Sequence, residues 1–201
     1  MLSEFLVYLR LGFEHITDPG GADHLLFVAV LTAADVGRLR SLAWLVTAFT
    51  LGHSVTLALA TLDLVRVDSR LVEIAIPLTI IATCAVNVAA MKAERSDAQG
   101  GATTSRPGGA RLRYSLAAGF GLIHGLGFSV FLRAALDPEQ GLLLPLFAFN
   151  SGLEIGQLAL VAGLVTMATA LRFARVPQRT WNTGVSALAA VGAGMMIAGR
   201  V

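Results

Sequence analysis

The sequence predicts an all-α fold, a polytopic transmembrane helix bundle of six to seven segments whose N-terminal pair is broken or re-entrant. Three observations carry this. Apolar residues make up 55% of the 201 and charged residues only 14%, with a mean hydropathy of +0.72; soluble domains carry about 25% charged residues. Five apolar runs reach the roughly 20 residues a bilayer crossing needs: 42–62, 71–91, 114–136, 142–171 and 181–199. Basic residues also alternate between successive loops.

Taken in order, the chain begins less regularly. Residues 2–16 are apolar but carry Glu4, Arg10 and Glu14, and the apolar stretch 23–34 is short. Between them, Thr17-Asp18-Pro19-Gly20-Gly21 breaks any continuous helix. Two short helical pieces meeting at a break are one expectation, of the kind that builds ion sites inside transporters. A surface turn after an interfacial helix is the other. The first residues lack the basic cluster and small-residue cleavage site of a secretory signal, so the N-terminal segment is expected to stay.

Arg38 and Arg40 fall in the first loop, Lys92 to Arg113 around the third, and Arg172, Arg175 and Arg179 around the fifth. The positive-inside rule places these three loops in the cytoplasm and the C-terminus outside. The N-terminus is inside if residues 2–16 cross and outside if they lie in the interface. Residues 93–110, Gly-rich and polar, are expected to form a flexible cytoplasmic loop dividing one integral membrane domain, residues 1–201, into halves. A faint echo joins the halves: Ala48-Phe49 and Gly52 match Ala148-Phe149 and Gly152, and Gly12-x-x-His15 matches Gly121-x-x-His124. The two shifts are unequal, and an apolar chain of limited alphabet produces such matches by chance.

The net charge of +2 is small and scattered, which argues against a nucleic-acid partner. The single Cys84 excludes an intramolecular disulfide and a cysteine metal cluster, and its apolar setting predicts a buried, inert thiol. The bilayer is the expected surrounding, with a homo-oligomer possible through Gly-rich faces such as 119–127.

The candidate chemistry lies where lipid should be. All four histidines, His15, His24, His53 and His124, fall in or at the ends of apolar segments, joined by Asp23 and Glu154. A carboxylate at the membrane centre costs about 2.5–3.5 kcal/mol on insertion scales, so such groups face the bundle interior. One buried histidine is ordinarily a core residue bonded to a neighbouring helix. Six such groups are expected to share one metal site, because imidazole and carboxylate suit Ni, Co, Zn, Fe or Mn. Thr50, His53 and Ser54 share one helix face, and Asn150, Glu154 and Gln157 form another stripe. Thr50, Ser54, Asn150 and Gln157 are therefore candidates to flank the path or to hold helices together. Asp18 suits turn chemistry or a supporting role, and Glu73, near a helix start, suits the helix dipole or the path.

Gly12-Phe13-Glu14-His15-Ile16, Asp23-His24-Leu25-Leu26-Phe27, Thr47 to Ser54, Phe120 to Phe128 with its central His124, and Phe149 to Gln157 occur in that order over about three quarters of the chain. In these pieces the chain resembles the HupE/UreJ family of small bacterial membrane proteins. The resemblance implies a nickel or nickel/cobalt permease of the bacterial inner (plasma) membrane. It further implies that His15, Asp23, His24, His53, His124 and Glu154 form or flank the metal path. The spacer from Ile16 to Ala22 is longer than in the nickel-linked members. No nucleotide-binding motif is present, so a gradient or a partner would drive transport. Neutral imidazoles bind metal at pH 7 and release it on protonation near about pH 6. The alternative is an intramembrane zinc hydrolase acting on a lipid, with Asp23 or Glu154 as general base to a metal-bound water.

Overall fold

The computed structural model describes residues 2–100, 108–135 and 141–200, which are helical throughout apart from short connections. The elements are α1 (Leu2–Thr17), a 3-10 turn (Pro19–Gly21), α2 (Ala22–Ala33), α3 (Leu39–Thr61), α4 (Ser69–Gly100), α5 (Gly108–Ala135), α6 (Leu143–Phe173) and α7 (Gln178–Ala198). Four helical stretches, Leu39–Thr61, Ser69–Ala93, Leu143–Phe173 and Gln178–Ala198, are long and apolar enough to cross a membrane. Exposed Leu51, Leu78, Leu188 and Val191 would sit against lipid.

Glycines set the helix pairing. A Cβ on Gly52 would collide with the Ala118 carbonyl, one on Gly121 with the Phe49 carbonyl and one on Gly125 with the His53 carbonyl. The backbones of α3 and α5 therefore touch directly. Ser41 meets Tyr114 near the start of this seam and His53 meets Gly125 further on, so the two helices run parallel. A second seam repeats the device. Gly12 abuts the Phe149 carbonyl, Gly152 the Leu9 carbonyl and Gly156 the Ile16 side chain, and α1 runs parallel to α6.

The N-terminal pair takes the first of the two forms left open by the sequence, two short helical pieces meeting at a break. At about 1.5 Å per residue, α1 is about 24 Å long and α2 about 18 Å, each short of a hydrocarbon core of about 30 Å. They follow one another along α6: Gly12 lies at Phe149, Ile16 at Gly156, and Val28 packs with Val161. Together they run end to end alongside α6 as one interrupted crossing, beside the four helical stretches long and apolar enough to cross.

The other elements follow local chemistry. Asp18 accepts a hydrogen bond from the Gly20 N–H at 2.8 Å and so caps the 3-10 turn. Pro77, inside α4, cannot bond the Glu73 carbonyl, and the Arg200 guanidinium occupies that carbonyl instead. α3 and α6 both end on a non-glycine residue at positive φ, Asp63 (61°) and Arg175 (63°). Leu64 N–H then closes on the Leu59 carbonyl and Val176 N–H on Leu171, a Schellman-type ending. α4 continues to Gly100 and α5 begins at Gly108, so helix occupies both ends of the stretch 93–110; residues 101–107 lie outside the described residues. The helix-forming run Ala93-Glu94-Arg95 carries α4 past its apolar part. Cys84 is buried and unpaired.

Candidate metal centre

The interruption between α1 and α2 places two imidazoles together. His15, in the last turn of α1, and His24, in the first turn of α2, have ring centroids 4.6 Å apart. A continuous helix would set them nine residues apart along one axis; the turn at Pro19–Gly21 folds that distance away. His53 comes from α3, where neighbouring Gly52 lets α5 approach, with its ring 6.2 Å from His15 and 6.4 Å from His24. One ligand nitrogen from each of these three residues lies within 4.8 Å of the other two. A tetrahedral ion with metal–nitrogen bonds of about 2.1 Å would want nitrogens about 3.4 Å apart, so binding requires the three rings to close in. His124, on α5, stands next to the group, 5.1 Å from His24.

Unmet hydrogen-bonding capacity distinguishes this cluster from a packed core. His53 is fully buried and neither ring nitrogen has a partner; His15 Nε2, His24 Nε2 and His124 Nδ1 are likewise buried and unpartnered. Buried polar atoms are ordinarily bonded, and each unsatisfied one costs about 1–3 kcal/mol. Five such nitrogens gathered among Phe27, Phe49, Phe128 and Phe149 fit a shared electrophile better than separate structural roles.

Asp23 supports the group. Its Oδ1 accepts from the His24 backbone N–H and lies 2.8 Å from His24 Nδ1. A carboxylate can only accept, so the proton sits on Nδ1 and Nε2 presents its lone pair to the cluster. His124 Nε2 is bonded to Thr79 Oγ1 at 3.1 Å, leaving Nδ1 free.

Other sequence candidates make bonds outside the imidazole cluster, although Asn150 Oδ1 is buried without a partner. Thr47 donates to Glu154 Oε1 at 2.7 Å, and Thr50 donates to Gln157 Oε1 at 2.7 Å, tying α3 to α6. Ser54 donates to the Thr50 carbonyl, and Asn150 to the Leu146 carbonyl of its own helix. Glu73 is exposed at the start of α4, 4.0 Å from the Arg200 guanidinium. Asp18 is exposed at the break and lines, with Glu14, His15 and Phe128, a cavity of about 600 Å³. Thr79 and Thr47 were not candidates in the sequence reading. Thr79, Thr83 and Asn87, buried at i, i+4 and i+8 of α4, form a polar stripe that the sequence carried openly.

A multi-pass helical membrane protein with a buried cluster of imidazoles able to hold a metal ion is the class that these features define. The chain belongs to the HupE/UreJ family: the family model described as HupE / UreJ protein matches residues 1–200. That family is associated with nickel and cobalt handling. No curated protein and no solved structure matches the chain.

Proposed function

We propose that this protein is a divalent transition-metal permease of the bacterial inner membrane, with nickel or cobalt as favoured cargo and zinc as a competitor. The observation that carries the reading is the set of buried, unpartnered nitrogens of His15, His24 and His53 within 4.8 Å of one another. Glycine contacts fix the helices around them, while the break at Pro19–Gly21 gives the site its access.

A route can be traced from both sides. The cavity at the break, lined by Glu14, His15 and Asp18, brings a cation against carboxylates before it reaches the cluster. His24 and His53 then exchange hydration for imidazole. His124 hands on toward Thr79, Thr83 and Asn87. Beside Phe27, Thr83, Asn87 and Phe120 the space along this stripe narrows to about 20 Å³. Asp23 holds the His24 tautomer, and Glu154 stands by on α6 as a carboxylate that the Thr47 hydroxyl orients. Nothing among the described residues favours the hydrolytic alternative.

The test is elemental analysis of detergent-purified protein before and after mild chelation, beside His24→Ala and metal uptake into proteoliposomes. Exchangeable Ni or Co that rebinds only in the wild type, with uptake that the variant loses, supports a permease. Metal retained through chelation without uptake would favour a fixed site and sink this reading.

A further inference from the structure

The cytoplasmic end of the bundle holds a second concavity, of about 690 Å³, that the metal route does not explain. Five arginines from different segments line it: Arg38 before α3, Arg95 on α4, Arg113 on α5, Arg172 at the end of α6 and Arg179 at the start of α7. The one carboxylate in the lining, Asp35, is buried and already bonded to Arg113 at 2.6 Å. Among the described residues, the other four guanidinium groups have no acidic partner. The polar floor is partly committed: Asn87 donates to the Val30 carbonyl and Gln178 Nε2 to the Ala33 carbonyl, while Gln178 Oε1 is buried without a partner.

The positive-inside rule accounts for basic residues on this side of the membrane. It does not require them to converge. Arg40, Arg111 and Arg175 satisfy the rule from outside the basin. Four unmatched guanidinium groups facing one cavity repel each other, and they repel a divalent cation leaving by this mouth. An anion removes both penalties, and the arginine fork matches phosphate oxygens two at a time.

We propose that this basin binds a phosphate-bearing anion through Arg38, Arg95, Arg172 and Arg179. The ligand class is a phosphate-bearing anion, either the headgroup of an anionic phospholipid or a soluble inorganic phosphate. Arg113, shared between the basin and Asp35, links occupancy to the inner end of the bundle. The binding itself stands apart from the permease reading.

The experiment uses full-length protein, delipidated in neutral detergent. Phosphatidylglycerol and inorganic pyrophosphate are titrated separately, with native mass spectrometry and thermal unfolding as readouts. Arg172→Gln/Arg179→Gln should weaken binding by about tenfold or more, while Arg40→Gln/Arg111→Gln, on the same side but outside the cavity, should leave it unchanged. Arg172→Lys/Arg179→Lys keeps the topogenic charge and removes the fork, so it guards against a misinserted Gln variant; it should lose affinity by a smaller factor. Retention of phosphatidylglycerol with no response to pyrophosphate assigns a headgroup, and the converse assigns a soluble phosphate. Binding of neither, or equal weakening by both Gln pairs, overturns the proposal.

Discussion

The two glycine seams are built alike and loaded differently. In α3–α5, Gly52 and Gly121 let the backbones meet, and His53 and His124 follow at the next residue and the next turn. In α1–α6, Gly152 and Gly12 do the same, and His15 again follows its glycine by three residues. Where α3 has His53 after its glycine, α6 has Leu153; where α3 has Ser54, α6 has Glu154. One packing solution thus serves twice: α3–α5 carries His53 and His124, and α1–α6 carries His15. His24, from the broken crossing, joins the two. Packing and chemistry are therefore separable here, and substitutions should separate them.

The largest effect is expected at the joint. His24→Ala should lower Ni or Co retention by at least about 100-fold, beyond the 10–100-fold typical of supporting residues, with an unchanged melting profile; equilibrium dialysis with elemental analysis reads it. Equal retention by the variant would move the site away from the break. Next come the seams. Gly121→Ala and Gly152→Ala each push a Cβ into a facing carbonyl and should cost about 1–3 kcal/mol, seen as a lower thermal midpoint in detergent. Gly121→Ala, which displaces both His53 and His124, should weaken metal binding more than Gly152→Ala, which acts through His15 alone. If both glycine variants lose metal equally, the loading is not asymmetric.

Asp23→Asn should reduce affinity by about 10–100-fold. An amide can donate to Nδ1, which shifts the proton onto His24 Nε2 and hides the lone pair. A nitrogen-15 chemical-shift measurement on the ring reports that tautomer directly, and an unchanged tautomer would remove Asp23 from its supporting role. The smallest effect concerns the matching ends of α3 and α6. Arg175→Gly should relieve a left-handed backbone worth about 1 kcal/mol, raising the melting point without touching metal binding. Asp63→Gly should gain less, because Asp63 also bonds Arg66.

Some of this was plain in the chain. Apolar runs, histidines inside them and the Pro-Gly-Gly break are properties of residue type and short-range order, and they specified a helical membrane bundle with a buried imidazole site. The echo of Gly12-x-x-His15 in Gly121-x-x-His124 was visible too. Its unequal shift made it look accidental until the seams gave both glycines the same task. The length of α4 was hidden because hydropathy ends before helix propensity does.

What sequence alone determined, then, is which groups lipid would not tolerate exposed: burial preference is local and readable residue by residue. What only the tertiary structure decided is which of them meet. Neither α1 nor α2 is long enough to span, so their sharing of one crossing depends on the side of α6 against which each packs. The meeting of His15, His24 and His53, and the tying of Glu154 to Thr47 instead, follow from glycine contacts between helices far apart in the chain. Such contacts depend on the relative rotation and register of two backbones, which no single segment encodes.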